Sequence, residues 1–174
     1  MSLAVIVNEL TSSMLNEGDD LVVLCIGTDR CTGDALGPLI GTRLQNSGLS
    51  HFYVYGTLES PVHATNLQET LEQLRLRHKQ SVIIAIDACL GRMDNVGHIM
   101  IGKGPLKPGA GVNKDLPAVG DLFITGIVNV GGFMDYLVLQ NTRLYLITRL
   151  ADVIAEGLIH GLANLKWRRR AFHV

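Results

Sequence analysis

Two aspartates carry the chemistry this sequence could perform. Asp34 stands in Cys25-Ile26-Gly27-Thr28-Asp29-Arg30-Cys31-Thr32-Gly33-Asp34-Ala35-Leu36-Gly37-Pro38. Asp87 ends the run Ser81-Val82-Ile83-Ile84-Ala85-Ile86-Asp87. Two carboxylates brought close together cannot both ionise, so they share a proton. One then serves as general base toward water and the other as general acid. The same pair could instead hold a divalent ion that acidifies a bound water. Asp29, Glu59, His63 and Asn129 occupy similar positions just beyond apolar runs. Plainer roles stay open: Asp34 as a helix N-cap, Asp87 bonding loop backbone, His63 as a surface histidine at a helix start.

Cys31 and Cys89 fall in the same loops, where a thiol nucleophile is conceivable. Nothing in the sequence supplies either with a base, and a buried thiol is the simpler reading. Glycines 27, 33 and 37 do not make Rossmann or Walker spacing, and no Gly-Lys-Ser/Thr follows.

The elements that must position these residues are legible in the apolar pattern. Leu3, Ile6, Val7, Leu10 and Met14 predict an opening helix ending near Gly18. Leu21 to Ile26 predicts a buried strand, and Leu36 to Leu44 a helix with Pro38 in its first turn. Phe52 to Thr57 predicts a second strand, and Thr65 to His78 a helix buried through Leu67, Leu71 and Leu74. Ser81 to Asp87 is a continuous β-branched run, as a central parallel strand requires. Ala88 to Gly91 predicts a short connection, and Val96 to Ile101 a short strand. Residues 102–118 have no period and many Gly, Pro and Lys, the pattern of a lid or binding loop. Leu122 to Val128 predicts a strand, Asp135 to Leu137 a short helix, and Leu144 to Leu165 a long one. Alternating strands and helices predict a three-layer α/β/α sandwich with a mostly parallel sheet. Its ligand site should lie beyond the carboxyl ends of the strands, where Asp34 and Asp87 fall.

Composition sets the bounds. The 174 residues are 47% hydrophobic with formal net charge -1. That supports a folded chain and no general attraction to nucleic acid or membrane. Lys166-Trp167-Arg168-Arg169-Arg170 reads as a solvated basic helix end. The amino terminus lacks a basic leader followed by an apolar run, and no stretch reaches membrane-spanning length. Three cysteines without metal spacing suit a reducing cytoplasm.

The Ile26–Arg30 and Thr32–Pro38 stretches are joined by Gly56-Thr57-Leu58-Glu59, Pro61-Val62-His63-Ala64, Ile86-Asp87-Ala88 and Asn129-Val130-Gly131-Gly132. In these the sequence resembles the YyaC-type sporulation proteins of spore-formers, over nearly its whole length. That family resembles the germination protease that degrades small acid-soluble spore proteins. More distantly it resembles the hydrogenase maturation endopeptidases. The resemblance implies one peptidase-like domain over residues 1–174, of phosphorylase/hydrolase-like α/β fold. It implies that Asp34 and Asp87 match the two essential aspartates of the germination protease, an atypical aspartic peptidase. In the maturation endopeptidases a metal is surrounded by an acidic residue, an aspartate and a histidine. The first two match Asp34 and Asp87, and the histidine position holds Asn129. An amide oxygen replaces imidazole poorly on such a metal, so the resemblance favours the germination-protease side, with no cofactor expected.

The implied function is a sporulation- or germination-associated endopeptidase-like hydrolase, cytoplasmic in the sporulating cell or forespore. Asp34 and Asp87 would supply acid–base chemistry, assisted by Asp29 or His63. The implied substrate is a protein or peptide such as a small acid-soluble spore protein. Two alternatives remain open. One is a non-catalytic sporulation factor that binds a protein through the same rim. The other is a metal-dependent amidohydrolase holding a divalent ion on Asp34, Asp87 and His63.

Overall fold

The computed structural model describes residues 1–109 and 116–165. In chain order they form α1 (Leu3–Ser12), β1 (Asp20–Cys25), α2 (Leu36–Gln45), β2 (Tyr53–Tyr55) and α3 (Leu67–Arg77). Then come β3 (Ser81–Gly91), β4 (Ile99–Lys103), β5 (Leu122–Val130), α4 (Asp135–Gln140) and α5 (Leu144–Ala163). The five strands make one sheet in the order β2-β1-β3-β5-β4, parallel except for β4, which pairs antiparallel with β5. The mostly parallel α/β sandwich read from the sequence is therefore borne out.

Layering follows from the alternation of strand side chains. Leu21, Val23 and Cys25 of β1 face α1, α2 and α5, where Val7, Ile40, Leu44, Ile154 and Leu158 complete the larger core. Val22, Leu24 and Ile26 face the other way, against Leu67, Leu71 and Leu74 of α3. Leu106 and Val119 cover the rest of that face, joined to each other by reciprocal backbone hydrogen bonds of 3.0 and 2.9 Å. The end of α3 is tied to the start of β1 through His78, whose Nδ1 lies 2.8 Å from Asp20 and whose Nε2 lies 3.0 Å from the Tyr55 hydroxyl. A partly exposed Arg43–Asp152 pair at 2.7 Å links α2 to α5 and adds at most about 1 kcal/mol.

Several boundaries move. Residues 88–91 are not a connection: β3 continues to Gly91 because β5 offers a partner as far as Val130, with a bulge between Cys89 and Leu90. Asp87 consequently sits inside a strand. It is still the first β3 residue past the end of β1, whose last pair is Cys25 with Ile86. The opening helix stops at Ser12, and Gly18 turns the chain into β1 at φ 90°. The second strand is only three residues long. The strand predicted from Val96 starts at Ile99, after a 3-10 turn at Met93–Asn95 and a turn at Gly97. Leu144 begins α5 but is 60% exposed, so the apolar stripe starts at Ile147. Residues 110–115 of the predicted loop and the basic run at 166–170 lie outside the described residues. No helix among the described residues is long and apolar enough to cross a membrane.

Candidate functional site

The sheet order places β2 on one side of β1 and β3 on the other. Such a reversal opens a crevice at the carboxyl ends of the central strands. A cavity of about 310 Å³ lies there, and Asp34, His63 and Asp87 all line it.

Asp34 arrives from β1. Past Cys25 the chain stays pinned on both sides: Ile26 N–H donates to Ile86 C=O at 2.7 Å, and Gly27 N–H donates to Val62 C=O at 2.8 Å. The chain then folds back, so that Thr28 N–H donates to the Asp34 carbonyl at 3.1 Å. Asp34 lies in a 3-10 turn, Gly33–Ala35, that leads directly into α2. The N-cap positions of this turn and of α2 are held by Thr32 and Ala35, so the N-cap role does not describe Asp34. Glycines 27 and 37 serve close packing. A Cβ on Gly27 would lie 2.0 Å from the Asp34 carbonyl oxygen, and one on Gly37 would lie 2.0 Å from that of Ile26.

Asp87 arrives from β3 and is 6% exposed. Its Oδ1 accepts a 2.9 Å hydrogen bond from the Ala88 N–H. Burial raises its carboxyl well above the ordinary range, and the nearby charge of Asp34 raises it further. The backbone N–H groups of Ala88 and Gly109 work in the opposite direction. Gly109 and Leu116, from the segment between β4 and β5, line the same cavity. Asp34 is also raised by burial, against the Thr28 backbone and the electrostatic influence of His63. One carboxyl is thus pushed strongly toward its protonated form, while its partner is raised less.

His63 enters because Ile26 and Val62 form a parallel bridge, which lays the start of the α3 loop beside the β1 loop. Its ring nitrogen Nδ1 lies 2.9 Å from the Thr65 hydroxyl. Asp29 and Glu59 are exposed and do not line the cavity. Arg30 lines it instead of Asp29. Asn129 also stays outside it. Its amide nitrogen lies 3.2 Å from the Thr142 hydroxyl, and its amide oxygen accepts from Val130 N–H at 2.9 Å.

Cys31 lines the cavity and Cys89 does not. Burial raises both thiols, and the charges of Asp34 on Cys31 and of Asp87 on Cys89 add to it. Neither is held as a thiolate, which removes the activation a nucleophile needs. Among the described residues no three His, Cys, Asp or Glu side chains are grouped to hold a metal ion. Asp34, Asp87 and His63 share a cavity without forming such a group.

Sequence reasoning missed the cavity's far wall. Tyr136 and Leu139 come from α4, a helix of six residues. The packing that brings α4 there is the contact of Gly33 with Leu139, where a Cβ would meet the leucine at 2.8 Å. Nothing in the local pattern around residue 136 announces it.

Comparison with known proteins agrees with the resemblance carried by the motifs. A Bacillus subtilis (strain 168) protein described as "Uncharacterized protein YyaC" is 57% identical over 154 residues, spanning 87% of this chain and 75% of that protein. A crystal structure of the [NiFe] hydrogenase maturation protease HycI from Thermococcus kodakarensis KOD1 aligns with a TM-score of 0.46 at 16% identity. It covers 86% of this chain and 98% of that one. A likeness of that size carries no argument about activity, and the fold of this chain rests on its own sheet. The family model described as "Protein of unknown function (DUF1256)" matches residues 2–157, and the chain belongs to that family.

Proposed function

We propose that this chain is an endopeptidase-like hydrolase of sporulation or germination that cleaves a protein or peptide with the carboxyl pair Asp34 and Asp87. The observation that carries the reading is their convergence on one cavity, with Asp87 pushed toward its protonated form by burial and by Asp34. Asp34, ionised, takes a proton from water as it attacks the amide carbon. Asp87, protonated, donates its proton to the carbonyl oxygen as the tetrahedral diol forms. As the C–N bond breaks, Asp34 passes the proton it gained from water to the leaving nitrogen and Asp87 takes one back from a diol hydroxyl, which resets the pair. His63 favours the ionised form of Asp34. Small acid-soluble spore proteins are the proposed substrates, by resemblance to the germination protease.

The test is incubation of wild type and Asp34→Asn with a spore-extract protein pool, reading new amino termini by mass spectrometry. Wild type should generate termini that Asp34→Asn does not. The same termini from both proteins, or none from wild type, would overturn the reading.

A second reading has its own observation. Phe133, Met134, Tyr136 and Leu137 are exposed at 86, 60, 52 and 45%, and Tyr136 also lines the cavity. An apolar surface beside the site suits a non-catalytic factor that binds a protein through this rim. Equal retention of one partner by wild type and Asp34→Asn, without cleavage, would favour it.

A further inference from the structure

Among the described residues that line the cavity, Arg30 is the only lysine or arginine. Its backbone N–H donates to the Thr28 hydroxyl at 3.3 Å, but its guanidinium makes no hydrogen bond. The two ion pairs of the described residues, Arg43 with Asp152 and His78 with Asp20, leave it out as well. Asp29, its neighbour in the chain, is exposed and off the cavity wall. A guanidinium carries five N–H donors in a planar fork and is always charged. At Arg30 that fork borders a cavity and spends none of its donors on the protein.

The backbone that carries Arg30 is closed on itself. Gly27 N–H donates to the Val62 carbonyl at 2.8 Å, and Thr28 N–H to the Asp34 carbonyl at 3.1 Å. Asp34 N–H donates to the Cys31 carbonyl at 3.1 Å. The backbone of Arg30 is therefore held in a fixed relation to that of Asp34, within one short loop.

We infer that Arg30 is a specificity-determining residue: its guanidinium takes the side-chain carboxylate of an acidic residue in the peptide that occupies the cavity. A carboxylate matches the fork with two parallel charge-assisted hydrogen bonds, which an amide cannot do. Ile26, Ala64, Ala88, Leu116 and Leu139 give the peptide apolar contact, so an acidic side chain finds its permanently charged partner at Arg30. The opposite preference, a lysine or arginine drawn in by the two aspartates, has less behind it. A pair that shares one proton holds a single negative charge, and Asp87 is buried. The inference rests on the reading that a peptide occupies this cavity, which cleavage and partner binding share.

The experiment is selection from a random-peptide library with amidated C-termini, on immobilised Asp34→Asn so that no bond is cut. Retained peptides are sequenced by mass spectrometry. Aspartate and glutamate should be enriched several-fold over the input library. The double variant Asp34→Asn with Arg30→Gln should lose that enrichment. Asp34→Asn with Arg30→Glu should retain lysine- and arginine-bearing peptides instead. Circular dichroism checks the fold, which an exposed side chain without partners should leave undisturbed. No acidic enrichment, or an enrichment that survives Arg30→Gln, would overturn the inference. Retention that requires a free C-terminal carboxylate, in a parallel library, would overturn it too. Failure of cleavage in spore extract with acidic enrichment intact would remove the hydrolase and leave the role of Arg30 standing.

Discussion

The backbone of Gly27 lies against the backbone of Asp34, with room for a hydrogen on the glycine and nothing larger. A Cβ there would sit 2.0 Å from the Asp34 carbonyl oxygen, and Gly27 has φ 140°, a conformation that favours glycine. The contact folds the loop back onto the strand, and it decides where the Asp34 carboxyl points.

Gly27→Ala should therefore cost stability and activity together. Steric and backbone strain at such a position predicts a loss of at least about 2 kcal/mol. Gly48 is the control: its φ is 76°, but a Cβ there meets nothing within 4 Å. Gly48→Ala should cost only the strain of its backbone, about 1 kcal/mol, with turnover retained. Urea unfolding of both variants measures the first difference, and substrate cleavage the second. Equal costs at the two glycines would show that the loop has an alternative path.

Much of this arrangement is legible in the chain. The apolar run before Gly27, the helical stripe after Pro38 and the β-branched run before Asp87 are local signals. Together they place both carboxyls at one end of the sheet. Asn129 follows an apolar run in the same way, but its amide is spent on Thr142 and Val130. Asp29 and Arg30 are neighbours in one loop, and a turn of the backbone decides which of them lines the cavity. The end of β3 is not legible locally, because Ala88 to Gly91 is strand by virtue of pairing with β5, a partner distant in sequence. Thr65 and Tyr136 belong to the site through packing alone.

Activity should follow a bell in pH. The rising limb reports ionisation of Asp34, and the falling limb reports loss of the proton from Asp87. Burial and the Asp34 charge hold Asp87 well above the ordinary carboxylate range, so the falling limb should lie well above about pH 4, the unperturbed aspartate value. The profile of kcat/KM on a cleaved peptide checks it. Activity that dies out through the ordinary carboxylate range and never recovers would remove Asp87 as the acid.

Stability should move against function at Asp87. Its folded pKa is raised, so its contribution to stability is fully present below the unfolded value and is lost as pH rises through the folded value. Asp87→Asn removes a carboxyl that is costly to ionise and keeps an oxygen for the Ala88 N–H. The variant should gain about 1 kcal/mol relative to wild type above the folded pKa, or roughly 2–4 °C in Tm. The gain should shrink toward zero in acid. Thermal scans of both proteins from pH 4 to pH 8 measure it, and a variant less stable at every pH would contradict the raised carboxyl.

Asp34→Asn and Asp87→Asn should each abolish turnover, and the double variant should lose about as much as either single one. Residues that act as one unit are non-additive in this way. Single-turnover rates on one peptide, with folding checked by circular dichroism, give the comparison. Independent, multiplying losses would mean the two carboxyls act separately.

The claim that Asp34 and Asp87 form one coupled pair is tested most directly by carbon NMR titration of the Asp87 carboxyl in wild type and in Asp34→Asn. In wild type it should titrate well above the ordinary carboxylate range. In Asp34→Asn it should titrate lower, because the like charge is gone, while burial keeps it raised. An Asp87 titration unchanged by removal of Asp34 would contradict the pair.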